Sequence, residues 1–220
     1  MELNEAKHLL TLLKGFNFNE FSDQNSETQG TARATEGFVE NTLKKFFSSS
    51  RNVGILKGGS QQHPDFMIFL KTNPILKKLI EAHKLKFRQI KKAEEGFGRP
   101  LSVKLEVKAG KGNGYMLNDT FPPPYKDKRE IYVLFNFKSR RVYINTSFNM
   151  ASRYVTKPDI TSRFKTSNKI VKGFSQKLKQ NWEGTPIKTA ARPTYRMENE
   201  YCEEDAPVKE IQRVFNEAGI

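Results

Sequence analysis

The segment Leu101–Lys108 alternates strictly between apolar and polar residues, and this pattern constrains the fold more than any other in the chain. Successive side chains of a strand point to opposite faces, so the two sets lie on opposite sides of an extended backbone. We therefore predict a β-strand with one face in a core. The apolar set is Leu101, Val103, Leu105 and Val107, and the polar set is Ser102, Lys104, Glu106 and Lys108.

Helical and strand patterns surround this segment in an order typical of α/β proteins. Apolar residues recur at helical spacing in several stretches, and short apolar runs bounded by turn residues indicate strands. The predicted helices span residues 4–14, 31–47, 74–95, 168–182 and 207–218. The other predicted strands span residues 66–70, 131–138 and 142–146, the last two joined by a tight turn at residues 139–141. We predict a central mixed β-sheet flanked by helices.

The charge of the chain favours a polyanionic partner. Lysine and arginine total 38 against 24 aspartate and glutamate residues, which gives a formal net charge of +14 at pH 7. Nucleic acid is the natural partner, because each phosphate that a protein cation neutralises releases condensed counterions. An anionic membrane surface and an acidic protein are weaker alternatives, and a basic surface can also serve solubility alone.

Cysteine and histidine usage excludes two kinds of site. Cys202 is the one cysteine, so neither an internal disulfide nor a cysteine-based zinc site can form. The three histidines show no metal-ligand spacing. The N-terminal residues are polar and acidic, and no apolar run approaches the ~20 residues of a membrane span. We expect one intracellular domain over residues 1–220, without a membrane segment.

Three charged residues are predicted to converge at one end of the sheet. Glu106 and Lys108 share a face of their strand and lie roughly 6–7 Å apart along it. Asp65 follows Pro64 at the start of the predicted strand 66–70. If the two strands are neighbours, two carboxylates and an ammonium meet. Mg²⁺ takes one or two carboxylates and binds substrate phosphates, while a lysine beside it can orient the attacking water.

These residues resemble the Pro-Asp…(Asp/Glu)-x-Lys nuclease superfamily, which includes most type II restriction endonucleases. Its two strand motifs are matched by Pro64-Asp65 and by Leu105-Glu106-Val107-Lys108. An acidic helix motif of the family is matched by Glu36-Gly37-Phe38-Val39 with Leu43, and Glu40 is the second candidate. Residues 116–122 are similar to a segment of some restriction enzymes. A whole predicted helix separates Asp65 from Glu106, whereas the family usually joins these strands more closely.

The resemblance covers about residues 31–146 and implies a restriction-endonuclease-like core, with residues 150–220 left for DNA binding or dimerisation. It implies a type II restriction endonuclease that cuts both strands of duplex DNA at a short specific sequence, with Mg²⁺ as cofactor. Asp65, Glu106 and Val107 would form the metal site, Lys108 would help to activate water, and Glu36 would assist. Cutting a symmetric site implies a homodimer. A cognate DNA methyltransferase and a prokaryotic cytoplasm follow from the same resemblance.

Side chains that could contact DNA lie in loops and at strand ends near the proposed site. Arginine and lysine suit phosphates and guanine, and asparagine suits adenine. Glycines alternate with other residues over 110–114, so backbone amides there could approach a phosphate, although a flexible turn explains the same composition. The candidates are Lys111, Asn113, Asn118, Asp119, Lys138, Arg140, Arg141 and Arg153.

Two other functions stay open. A repair or junction-cleaving nuclease of the same superfamily would share the metal site and differ in its substrate. A non-catalytic nucleic-acid-binding protein would need no metal, and Glu106 and Lys108 would then form a surface ion pair worth about 0–1 kcal/mol. His63 either lies near the metal or is structural, and the lysines of the predicted helix 168–182 either follow phosphates or face solvent.

Overall fold

The structure is a computed structural model that describes residues 1–21, 28–59, 63–110, 114–116, 130–154, 160–185 and 196–220. Its helices are α1 (Leu3–Lys14), α2 (Thr28–Phe46), α3 (Pro74–Glu81), α4 (Phe87–Phe97), α5 (Ser147–Tyr154), α6 (Ile160–Asn181), α7 (Asn199–Cys202) and α8 (Val208–Glu217), with a short 3₁₀ turn at Phe18–Phe21. Its strands are β1 (Val53–Lys57), β2 (Phe66–Leu70), β3 (Ser102–Gly110), β4 (Gly114–Met116), β5 (Glu130–Asn136), β6 (Arg141–Thr146) and β7 (Arg196–Glu198).

Five strands form a mixed sheet in the order β1-β2-β3-β5-β6. The pairs β1–β2, β2–β3 and β5–β6 are antiparallel, and the central pair β3–β5 is parallel. β4 and β7 form a separate two-stranded sheet. The predicted α/β class, with a mixed sheet flanked by helices, is confirmed. The alternating segment is the central strand, which explains why both of its faces are covered.

The main hydrophobic core lies between one face of the sheet and three helices. Its buried members include residues of β2, β3, β5 and β6 on the sheet side and of α1, α2 and α8 on the helix side. Phe135 is fully buried and packs edge-on against Phe16, with ring centroids 4.9 Å apart. Tightly packed rings of this kind dominate core energetics because each buries a large apolar area.

A second, smaller core lies on the opposite face, under α3 and α4. The buried side chains of this cluster are Met67, Phe69, Leu76, Phe87, Ile90 and Leu101. Met67 of β2 pairs with Lys104 of β3 in the antiparallel register. Cross-strand partners point to the same side, so α3 and α4 cover the face that carries the polar residues of β3.

The prediction of one helix over residues 74–95 is wrong, since α3 ends at Glu81 and α4 begins at Phe87. His83 has a left-handed backbone, with φ of 52°, and this interrupts the helix between them. The side chain of Asn73 caps α3 by accepting hydrogen bonds from the backbone N–H groups of Ile75 and Leu76.

Several elements were not predicted. They are β1, α5, α7, the 3₁₀ turn at Phe18–Phe21 and the β4–β7 pair, while α6 begins well before the predicted start at residue 168. β5 begins at Glu130, one residue earlier than predicted, and this residue belongs to the site described below. In the described part of the chain, no helix is both long enough and apolar enough to cross a membrane.

Candidate functional site

The site is built where β2 begins and β3 passes beside it. Phe66 pairs with Leu105, so the antiparallel register brings Asp65 opposite Glu106. The backbone N–H of Val107 donates to Oδ2 of Asp65 at 2.7 Å. The backbone N–H of Asp65 donates to Oε2 of Glu106 at 3.2 Å. Two residues 41 positions apart in sequence are therefore held side by side by hydrogen bonds from backbone N–H groups to their carboxylates.

Glu106 and Lys108 form a buried ion pair. Nζ of Lys108 lies 2.5 Å from Oε1 of Glu106. Glu106 is only 3% exposed. Glu106 and Lys108 therefore do not form an ordinary surface ion pair on an exposed face. A buried carboxylate needs compensating partners, and Lys108 supplies one of them.

Glu130 is a member of the site that the sequence did not indicate, and His63 is a second member, for which a place near the metal and a structural role were both open. Nδ1 of His63 lies 2.8 Å from Oε2 of Glu106, and Nε2 lies 2.5 Å from Oε1 of Glu130. The hydroxyl of Tyr132 donates to Oε2 of Glu130 at 3.0 Å. Glu130 and Tyr132 are two apart in β5, so period-two alternation at the start of that strand was the available signal.

The carboxylates of the site have opposite pKa shifts. Burial raises the pKa of Asp65 to about 7, and the negative charges of Glu106 and Glu36 add to this, while the Val107 N–H and Lys108 oppose it. Burial would also raise the pKa of Glu106, but the hydrogen bond from His63 and the charge of Lys108 lower it overall. Asp65 is thus the carboxylate whose negative charge is poorly compensated.

The imidazole of His63 is held in its charged form. Burial disfavours the imidazolium, but hydrogen bonds to Glu106 and Glu130 outweigh burial and raise the pKa of His63 to about 9. An imidazolium donates from both ring nitrogens, so it can bridge the two glutamates. His63 therefore neutralises part of the negative charge that β3 and β5 bring together.

The two acidic candidates of α2 lie in different surroundings. Glu36 is close enough to Asp65 for its charge to raise the Asp65 pKa. Glu40 instead forms ion pairs with Lys44 and with Lys57 of β1, each at 2.6 Å. These pairs lower the pKa of Glu40. Of the two, Glu36 is the helix acid whose charge acts on Asp65.

The candidate DNA-contacting residues are spread over several places. Lys138 and Arg140 lie in the β5–β6 turn and Arg141 opens β6, at the end of the sheet where Gly110 pairs with Asn136. This turn is four residues along β3 from Glu106, roughly 13 Å. Lys111, Asn113, Asn118 and Asp119 lie outside the described residues.

Two of these candidates have protein partners. A guanidinium N–H of Arg140 donates to Oδ1 of Asn19 at 3.1 Å. Arg153 donates to the carbonyl of Glu200 and forms an ion pair with Glu204, which ties α5 to the segment around α7. Arg153 therefore has a structural role that its position in the sequence did not indicate.

Asp65 and Glu106 are the candidate ligands for a divalent cation. Within the described ranges, no group of three or more His, Cys, Asp or Glu side chains is arranged to hold a metal ion. Mg²⁺ is commonly held by only one or two carboxylates, with waters and substrate phosphates as the other ligands. Asp65 and Glu106 supply two, and each carboxylate oxygen can accept from more than one partner. Their mutual repulsion is the property that a bound dication would relieve, so the pair fits Mg²⁺.

No protein-family model, no curated protein and no solved structure matches this chain. The functional assignment therefore depends on the chemistry of the site. Its firmest elements are the paired carboxylates of Asp65 and Glu106 and the ammonium of Lys108.

Proposed function

We propose that this chain is a type II restriction endonuclease that hydrolyses double-stranded DNA at a short specific sequence with Mg²⁺ as cofactor. The observation that carries the proposal is the buried pairing of Asp65 with Glu106, with Lys108 at 2.5 Å from the second carboxylate. A poorly compensated carboxylate such as Asp65 in a partly enclosed site destabilises a fold, and such perturbed groups cluster at functional sites. The restriction-endonuclease-like core belongs to the same proposal.

Each residue of the site has a role in this proposal. Asp65 and Glu106 would hold Mg²⁺, and Val107 keeps Asp65 in place through its backbone N–H. The cation would neutralise charge on the scissile phosphate and favour ionisation of the attacking water. Lys108 would orient that water and stabilise the negative charge that develops on the phosphate. Glu36 adds negative charge beside Asp65 and so strengthens cation binding.

DNA is the proposed substrate because of the charge of the whole chain, +14 at pH 7. Such an excess of cations attracts a polyphosphate backbone and speeds association with it. A homodimer is part of the proposal, since the two strands of a symmetric sequence present the same phosphodiester twice. A cognate DNA methyltransferase would protect the host's own sites, and the prokaryotic cytoplasm would be the compartment.

The direct experiment incubates the purified protein with plasmid DNA and Mg²⁺, with and without a chelator. Discrete fragments that disappear with the chelator are the expected result. A smear or structure-specific nicks would indicate a repair or junction nuclease with the same metal site. Intact DNA in the presence of Mg²⁺ would overturn the nuclease assignment and favour a binding protein.

A matched pair of variants separates chemistry from folding. Glu106→Gln removes a metal-holding carboxylate and is expected to abolish cutting while DNA affinity in chelator stays within a few-fold of wild type. Glu94 is another buried glutamate, at 9% exposed. It accepts hydrogen bonds from the backbone N–H groups of Leu101 and Ser102, at the end of β3 that is far from Asp65. Glu94→Gln is therefore expected to lower stability and keep cutting. Retained cutting by Glu106→Gln would refute the assignment of the site.

A further inference from the structure

A basic helical hairpin, α3 and α4 with their connecting segment, joins the two strands that carry Asp65 and Glu106. Residues 71–99 contain nine lysine or arginine residues against three glutamates. The hairpin is anchored by its buried members Leu76, Phe87 and Ile90, which pack on Met67 and Phe69 of β2. The hairpin that carries these cations is therefore held in a fixed position relative to the site, because it packs on β2, the strand that Asp65 precedes.

A cavity of about 340 Å³ lies between α4 and His63. Its lining residues are His63, Phe87, Arg88, Lys91, Lys92 and Glu95. Lys91 and Lys92 lie three and four residues after Arg88, so each is a neighbour of Arg88 on the surface of α4. Three cations against one carboxylate make the cavity electropositive. Arg88 and Lys92 are exposed and Lys91 is half-buried, so the cavity opens to solvent.

Lys91 links this cavity to the site. Its Nζ donates to the backbone carbonyl of His63 at 2.9 Å, and the imidazole of the same residue binds Glu106 and Glu130. An ammonium carries three N–H donors, so one bond to His63 leaves Lys91 able to bind an anion as well. A phosphate in the cavity would therefore be separated from the carboxylate pair by one residue, His63.

We infer that this cavity binds a backbone phosphate of the DNA, with Arg88, Lys91 and Lys92 as the contacting side chains. The inference rests on the proposed function for the identity of the polyanion. Arg88 can grip a phosphate with two parallel N–H groups, and the lysines add point charges. The hairpin would thus hold the duplex backbone beside the carboxylates.

The experiment measures binding of a fluorescent DNA duplex by anisotropy in chelator, at several salt concentrations. The test variant is the double substitution Arg88→Gln with Lys92→Gln. The control is Lys7→Gln with Lys209→Gln, which removes the same charge from exposed positions on α1 and α8, across the sheet. Lys91 is left in place in both proteins because its bond to His63 supports the local fold.

The test variant is expected to bind about tenfold or more weakly than the control. It should also lose up to about 0.9 of the slope of log affinity against log salt, the share of the one phosphate that the cavity binds. Equal affinity and equal slope for the two double variants would overturn the inference, as would absence of DNA binding by the wild-type protein. Cutting is read separately on plasmid. A selective binding loss in a protein that never cuts DNA would support the cavity and sink the nuclease proposal, and cutting with no selective loss would do the reverse.

Discussion

Val107 donates its backbone N–H to Oδ2 of Asp65 at 2.7 Å, and this bond fixes the Asp65 carboxylate against β3 beside Glu106. Among the residues that the structure describes, no lysine or arginine forms an ion pair with Asp65. Burial and the neighbouring charges of Glu106 and Glu36 accordingly raise the pKa of Asp65 to about 7. The fold therefore concentrates negative charge at a point where a cation would be favoured.

Mg²⁺ is expected to stabilise the folded protein through Asp65. A ligand that binds only the folded state adds stability by mass action, about 2.7 kcal/mol at a hundredfold excess over its Kd. Thermal unfolding with increasing MgCl₂ should raise the Tm of the wild-type protein. Asp65→Asn should show a higher Tm than wild type without Mg²⁺, since carboxylate repulsion is gone, and little further increase with it.

Glu94→Gln serves as the control, because Glu94 binds the backbone N–H groups of Leu101 and Ser102 and is outside the carboxylate pair. It should respond to Mg²⁺ as the wild type does. An equal Mg²⁺-dependent rise of Tm in Asp65→Asn would mean that the cation binds elsewhere.

The alternation of β3 was sufficient to place Glu106 and Lys108 on one face, and the apolar run of β2 to place Asp65 at a strand start. The sequence alone does not show that β2 and β3 are neighbours, because strand pairing and register depend on the tertiary structure. The burial of the polar face was also unpredictable, since it follows from α3 and α4 packing over it.

His63 and Glu130 illustrate what local patterns leave out. His63 binds Glu106 and Glu130 across 43 and 67 residues of sequence, and only the parallel pairing of β3 with β5 brings those glutamates together. Parallel neighbours need a long connection, so no short-range signal relates them. By contrast, the split of residues 74–95 had a local cause, the left-handed backbone of His83.

Glu36→Gln and Glu40→Gln are expected to separate the roles of two acids one turn apart on α2. Glu36 acts on Asp65 through its charge, so its loss should reduce the cleavage rate by roughly 10–100-fold, as removal of groups that support a metal site typically does. Glu40 pairs with Lys44 and Lys57 away from the site. Its loss should leave the cleavage rate within about twofold.

The difference in stability between Glu40→Gln and the wild-type protein is expected to depend on pH. Ion pairs lower the pKa of Glu40 in the folded state, so Glu40 stabilises the fold above its unfolded pKa, and this contribution is lost as pH falls through the folded pKa. Urea unfolding should show Glu40→Gln less stable than wild type by up to about 1 kcal/mol near neutral pH. The difference should shrink as pH falls below the ordinary value of 4.5 and vanish once the pH is below the lowered pKa of the folded state. A difference that persists there would contradict the ion-pair explanation.

Gly37→Ala and Gly54→Ala are expected to change stability in opposite directions. Gly37 lies inside α2, and a Cβ there would meet no atom within 4 Å. Alanine should stabilise the helix by about 0.5–1 kcal/mol, because glycine loses more backbone freedom on folding. A Cβ at Gly54 of β1 would come within 2.4 Å of the Phe69 ring. Since that ring is buried, we expect a loss of about 1–3 kcal/mol, measured by urea unfolding at one pH. Destabilisation by Gly37→Ala would indicate a contact on α2 that the described residues do not contain.

Cys202 is expected to react with thiol reagents only when the protein unfolds. The residue is fully buried, and burial together with the charge of Glu203 raises the pKa of its thiol from 9.0 to about 12. The thiolate is the reactive form, so this shift alone lowers its population about a thousandfold near pH 8. Labelling of the native protein with a coloured disulfide reagent should therefore be very slow, and addition of urea should make it rapid and stoichiometric, with one thiol per chain. Labelling at equal rates before and after urea would mean that the segment around α7 opens freely in the native state, and that its packing against β6 through the hydrogen bond from Asn145 to the Cys202 carbonyl is not maintained.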